Sequence, residues 1–510
     1  MKKFQLIALF MAIGWIITPC AWASFPLNDS GTMTVQGRLR SQAAVRTNST
    51  QNTPLPIESG DLVQQRNSAI VLFDWDIGEV ASGVTSHMTL QPRFFYDSAW
   101  DIGPDVMSDA DTRASYRYFD QDEVDDLKWD ADFFLAYLDL QSDGNFMRLG
   151  KQAFSWGEMT TMRILDGVNP LDSQGAGVDM EERLVPLWIA RGSHTIYGLG
   201  PFDSASLEGY FIPGGVEHTN GEDLPDGAPA LLVPLGLRTK PALPTAMQEL
   251  NEENDRYGFK LGMSVGDLQF NLAHYRMYAE NPTSRVRYDT ATIPGAGTVP
   301  TSVHVDLVTE DIKVYGGSFN YAFSGLDFVL RGEAAIFKDM PLNIEGVNSG
   351  RAAELTAKGL VTEDGYIEHS DVYRWGLGVD KFVSAPWLNR DKKIFCSFEY
   401  VGSQFADYDS KISYPWTDPD TDKTLYKDRY DHQLIAVAST EYWHQRITTN
   451  ITGMCDLTTR SLMAIPSIVV SDCQQWEVEL RYQWCLSDTY KGFGFKQDSN
   501  ELQMSVSYLF

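Results

Sequence analysis

Charged side chains recur on one phase of many short alternating segments in this 510-residue chain, with apolar side chains on the other phase. Arg38, Arg40, Arg93, Lys260, Arg331, Arg374 and Arg481 sit on the charged phase. Asp74, Asp76, Glu208, Glu333, Asp380, Glu399, Glu477 and Glu479 share it. On strands, such phases become opposite faces. A charged face can do two things. Gathered at a narrowing, it selects solutes by sign; spread around a wall, it pairs internally and keeps an interior wet.

A second candidate is segment 154–184, which carries Trp156-Gly157-Glu158, Asn169-Pro170-Leu171-Asp172 and Gly175-Ala176-Gly177. It mixes aromatic, apolar and turn-forming residues where the other connectors are acidic. That composition predicts a loop folded inward, either narrowing a lumen or bracing its mouth. The candidate lumen or constriction residues are therefore Arg38, Arg40, Arg93, Trp156, Glu158, Arg331, Glu333, Asn169 and Asp172. Asp418, Asp420 and Asp422 alternate like ligands of a hard cation such as calcium, but lack the turn glycine and distal Glu of an ion loop. No other metal site and no cofactor are expected.

Catalytic motifs are missing: there is no H-E-x-x-H, no G-x-S-x-G and no phosphate-cradling Gly-Lys loop. The histidines are scattered without zinc spacing. The expectation is a non-enzyme, with a Ser-His site assembled across strands as the minor alternative.

The elements that must position these residues are strands. The last runs Leu502, Met504, Val506, Tyr508, Phe510 on one phase against Gln503, Ser505, Ser507 on the other. In 256–265, Tyr257, Phe259, Leu261, Met263 and Val265 oppose Arg256, Lys260 and Ser264; in 476–485, Trp476, Val478, Leu480, Tyr482 and Trp484 oppose Glu477, Glu479, Arg481 and Gln483. Reading for period two gives about 18 strands (16–18) whose connectors alternate between tight turns and long loops. Loops 47–67, 98–130, 154–184, 213–255, 281–309, 339–370 and 406–430 fall on one side, with turns such as 142–145, 266–267 and 443–444 on the other. The fold class predicted is an all-β, transmembrane, antiparallel up-and-down β-barrel with short periplasmic turns and long extracellular loops.

The other end of the chain agrees. Lys2 and Lys3, an apolar run from Leu6 to Ile17 and Ala21-Trp22-Ala23 read as a secretory signal over 1–23, leaving 24–510 as the barrel. Mean hydropathy is −0.25 although aromatics are 12%, a profile suited to alternating strands with interface aromatics. Net charge is −28, which excludes a nucleic-acid partner. Cys396, Cys455, Cys473 and Cys485 lie on different strands and read as unpaired wall residues.

The Leu149-Gly150-Lys151-Gln152, Trp156-Gly157-Glu158, Ser206-Leu207-Glu208-Gly209-Tyr210-Phe211 and Asn169-Pro170-Leu171-Asp172 segments resemble the bacterial domain-of-unknown-function family numbered 1302. So do residues 311–320 (DIKVYGGSFN) and Met340-Pro341-Leu342. The resemblance implies an outer-membrane barrel, encoded near resistance-nodulation-division exporters and moving hydrophobic or amphiphilic molecules. It supplies no functional residues to carry over. Lys151, where many relatives carry arginine, and the enlarged acidic loop 213–255 depart from it. The function expected is a channel for such molecules, working with an inner-membrane exporter; the alternatives are a structural or surface-interaction barrel and, last, a barrel lipase or protease. Expected partners are outer-membrane lipids, lipopolysaccharide and the barrel-assembly machinery, the last through the strand ending in Phe510.

Overall fold

The computed structural model describes residues 25–49, 57–112, 124–125, 128–171, 183–215, 254–279, 283–293, 297–343, 367–418, 421, 423–472 and 475–510. The signal segment, Asp172, Asp420, Asp422, Cys473 and most of loop 213–255 lie outside them.

Eighteen long antiparallel strands close into one ring. They are β1 (Met33–Arg46), β2 (Leu62–Ala81), β3 (Val84–Asp97), β4 (Trp129–Ser142), β5 (Asn145–Gln152) and β6 (Leu187–Leu199). β7 (Phe202–Ile212), β8 (Arg256–Val265), β9 (Leu268–Tyr278), β10 (Asp311–Phe323), β11 (Phe328–Leu342) and β12 (Glu368–Val383) follow. β13 (Ile394–Phe405), β14 (Tyr430–Tyr442), β15 (Ile447–Asp456), β16 (Ser461–Asp472), β17 (Trp476–Leu486) and β18 (Glu501–Leu509) complete the wall. A two-residue strand, Phe25–Pro26, adds to β1.

Each strand pairs with its chain neighbour, and β1 pairs with β18 from Arg38↔Leu509 to Arg46↔Glu501. Closure leaves no open edge, which matters wherever water cannot satisfy backbone groups. Gly37 and Phe510 exchange backbone hydrogen bonds of 2.7 and 2.9 Å across the seam. A Cβ on Gly37 would lie 2.3 Å from the Phe510 ring, so the glycine gives the terminal aromatic its seat.

Alternation decides the faces. In β18, Glu501, Gln503, Ser505 and Ser507 are buried inward while Leu502 is exposed outward. In β8, Arg256 and Gly258 point in, and Tyr257, Phe259 and Leu261 point out. Outward aromatics form two bands. Trp75, Tyr321, Phe323, Phe328, Trp476 and Tyr508 lie near the turns; Trp129, Trp188, Phe211, Tyr257 and Tyr315 lie near the loops. Along β10, Tyr315 and Phe323 are separated by about 27 Å of strand. A tilt of about 40° shortens this to about 20 Å, near the height of a barrel's apolar band.

Two-residue turns join β4 to β5 and β8 to β9, where Gly144 (φ 70) and Gly266 (φ 54) supply the left-handed residue such hairpins need. Loop 281–309 is not irregular, contrary to the sequence reading. Thr283–Ile293 pairs with Gly297–Val308 as a two-stranded sheet separate from that of the ring. Its β-branched residues favour extended backbone without a wall to join. β2 also begins at Leu62, inside the stretch read as loop 47–67.

Candidate functional site

Residues 153–171 leave β5 and run over the inner face of the wall without regular structure of their own. Backbone donors in such a segment need acceptors wherever they are buried. The wall provides them with inward carboxylates, all buried: Glu208 on β7, Glu333 on β11 and Glu399 on β13. Trp156 Nε1 donates to Glu208 at 2.7 Å. The N–H groups of Glu158 and Met159 donate to Glu333 Oε1, the latter at 2.7 Å, and that of Leu165 to Oε2 at 3.0 Å. Thr160 donates to Glu399 through its N–H (2.9 Å) and hydroxyl (2.7 Å), and Thr161 N–H reaches the other oxygen at 3.2 Å.

Cations hold these carboxylates in place. Arg191 and Lys260 flank Glu208 at 2.7 and 3.3 Å. Arg331 donates to the Glu158 carbonyl oxygen, to Asp380 at 2.8 Å and to Glu399 at 3.3 Å. The Glu158 carboxylate in turn accepts from Asn271 and Asn320, each at 3.3 Å. A buried charge network of this kind is stable only because nearly every lone pair has a donor.

Asn169 fixes the return of the segment. It accepts from Phe154 N–H (3.1 Å) and donates to the carbonyls of Gln152 (3.2 Å) and Val185 (2.9 Å). Between these anchors, Phe154, Trp156, Met159, Ile164, Leu165 and Val168 pack with wall residues including Ile189, Tyr210, Tyr275, Phe337, Val401 and Ile435. Three inward glycines make the close approach possible. A Cβ on Gly258, Gly316 or Gly376 would come within 3.0 Å of Trp156, 2.5 Å of Leu165 or 2.8 Å of Ile164. Asp166 is buried in the segment, and burial raises its carboxyl above the ordinary range against the pull of Arg163.

Trp156, Glu158, Asn169, Arg331 and Glu333 thus belong to one assembly. Arg38, Arg40 and Arg93 do not join it. Arg38 and Arg40 line β1, where Arg40 meets Glu479 at 3.7 Å and Ser505 at 3.4 Å. Arg93 on β3 pairs with Asp132 at 3.1 Å beneath the Phe134 ring. Asp418 accepts from Thr421 N–H at 3.0 Å within its own turn. Among the described residues, Cys396, Cys455 and Cys485 are free thiols. The glycine cradle escaped the sequence reading, although glycine on the inward phase of a strand is a readable sign of close approach.

The buried core of the loop assembly draws on the wall between β6 and β14, with Met454 of β15 packed at its edge. The remaining sector is more polar, with Gln42, Gln64, Thr89, Ser467, Gln503 and Ser505 buried on its inward face beside Ala44 and Ile70. A closed ring with an apolar exterior, two aromatic bands and a charge-paired interior defines a transmembrane β-barrel of the kind bacterial outer membranes hold. The chain belongs to the protein family of unknown function DUF1302, whose description matches residues 6–510.

No curated protein matches it. Solved structures with similarity include Acinetobacter baumannii OccAB4 (7% identity, 94% of this chain and 98% of that one, TM-score 0.48). Pseudomonas aeruginosa OccK9 (OpdG) matches at 10% identity over 94% and 98%, with a TM-score of 0.46. Salmonella typhi OmpF, solved in complex with daunomycin, matches at 9% identity over 94% and 97%, with a TM-score of 0.40.

Proposed function

We propose that this barrel is an outer-membrane channel for small amphiphilic molecules, its bore narrowed by residues 153–171 and running along the polar sector from β15 through β5. The supporting observation is the one-sided interior. The inward segment and its carboxylate anchors occupy β6 to β14, while the opposite wall carries paired charges and short polar side chains. A passage with a hydrated, two-signed wall on one side and an apolar body on the other suits molecules with both characters. The reading assigns no catalysis, and an inner-membrane exporter is the partner class the family resemblance suggests.

The packed apolar core under the segment favours a second reading, a sealed barrel that holds its outer loops at the surface. Planar-bilayer recording separates the two. The channel reading expects discrete conductance from the intact protein and a larger step after deletion of residues 156–172. Silence from both proteins would overturn it. Liposome uptake then tests the solute class, with amphiphiles expected to enter faster than sugars of equal size.

A further inference from the structure

Three neighbouring hairpin ends project from the turn side of the ring: 324–327 between β10 and β11, 384–393 between β12 and β13, and 443–446 between β14 and β15. Each exposes a large apolar side chain. Trp387 is 86% exposed, Trp443 75% and Leu326 62%. The two indoles are more exposed than any large apolar side chain of the wall. We propose that this rim is a docking surface for the anionic headgroups of the phospholipid leaflet facing the periplasm.

The three ends are built as one platform. Asn389 donates to the Thr440 hydroxyl (2.8 Å) and the Glu441 carbonyl (2.9 Å), and accepts from the N–H groups of Asp391 and Lys392. Lys381 donates to the Leu326 carbonyl at 3.2 Å, and Lys393 meets Asp327 at 3.1 Å. The middle turn is thereby tied to both neighbours. Trp387 stands on a braced base.

The third turn shows that its side chains matter more than its backbone comfort. Trp443, His444 and Gln445 all have positive φ (49, 58 and 71°), a region that Cβ-bearing residues resist. Asn-Gly or Asp-Gly would serve a hairpin end without that strain. Exposed indole and strained backbone give the isolated fold nothing, so the compensation lies outside it.

Charge identifies the occupant. In a chain of net charge −28, these ends hold Lys381, Arg390, Lys392, Lys393 and Arg446 against Asp327, Asp391 and Glu441. The pairs Lys393–Asp327 and Lys392–Glu441 (3.8 Å) are exposed and easily exchanged for a phosphate. The platform continues the outward band at Phe323 and Phe328, whose rings stack at 4.5 Å. Indoles at headgroup depth with lysine and arginine reaching past them form an interfacial anchor. Anionic lipid adds the Coulombic attraction that zwitterionic lipid lacks.

The test places the full barrel, labelled with 5-fluorotryptophan, in nanodiscs of phosphatidylethanolamine with or without phosphatidylglycerol. The Trp387 and Trp443 resonances are assigned through W387F and W443F. Phosphatidylglycerol should shift both and shield them from a water-soluble gadolinium chelate. Lipid retained by the protein should favour phosphatidylglycerol about tenfold. That preference should fall towards unity in the R390Q/K392Q/K393Q variant and in high salt. Equal water access of both indoles in the two nanodiscs would overturn the proposal and mark the rim as facing a periplasmic protein. So would a triple variant that is folded by heat-modifiable migration yet keeps the lipid preference.

Discussion

Replacing Glu333 with glutamine should loosen the inward segment without disturbing the ring. The carboxylate accepts from the N–H groups of Glu158 and Met159 on one oxygen and Leu165 on the other. Glutamine keeps one acceptor and turns an amide NH2 towards the remaining donor. A buried donor left facing a donor costs about 1–3 kcal/mol, and losing a charged acceptor belongs at the upper end. About 3 kcal/mol corresponds to a shift of about 150-fold between seated and released segment. Trp156 stays on Glu208 and Thr160 on Glu399, so release begins between them. Single-channel recording should show open substates about 150-fold more often in E333Q, with strand content by circular dichroism unchanged. Amide exchange at Met159 and Leu165 should accelerate in parallel. Unaltered gating together with unaltered exchange at those amides would refute the pinning role of Glu333.

Gly376→Leu should drive a side chain into the place of Ile164 and raise mean conductance, by an overpacking penalty of about 1–3 kcal/mol. Leu480→Arg, on the exterior of β17, should cost about 2–4 kcal/mol of stability in bilayer unfolding titrations while leaving solute uptake unchanged. Phe510→Ala removes the ring seated over Gly37 and should lower the temperature at which the heat-modifiable band is lost. Asp166 gives a pH dependence. Its pKa is raised in the seated segment above the ordinary 3.8, so the seated form takes up a proton first. The added seating is fully present below that ordinary value and is lost as pH rises through the elevated one. Conductance should therefore fall on acidification, and D166N should flatten the response.

The wall was legible because two solvents impose one period on it. Every strand from β1 to β18 answers to a segment read as extended, although 131–141 and 310–323 alternate poorly, and most tight turns fall where Gly, Asp or Asn interrupts the pattern, the Trp443 turn excepted. The inward face of Arg331, Glu333 and Glu399 was readable from phase alone. Their partners were not. The N–H groups that meet Glu333 and Glu399 lie 168 to 239 residues away along the chain, in a segment with no period to set a register. The hairpin over 283–308 was missed for a different reason: its alternation is real, but it lies within a connector and pairs with no wall strand. Asn169 was singled out by its place in a turn motif, while its role as a clamp on Phe154, Gln152 and Val185 depends on contacts formed only after folding.

The reach of those contacts orders events during biogenesis. The acceptors that seat residues 158–165, on Glu333 and Glu399, lie 168 to 239 residues further along the chain. A half-made sheet must therefore carry the segment unseated, with Trp156, Ile164 and Leu165 uncovered. Contacts of such high sequence separation form slowly. Two kinetic phases are therefore expected in refolding traces, rapid growth of neighbouring hairpins and a late locking event that waits for β13 and β14. The interval between them is when this protein is most vulnerable to aggregation and proteolysis.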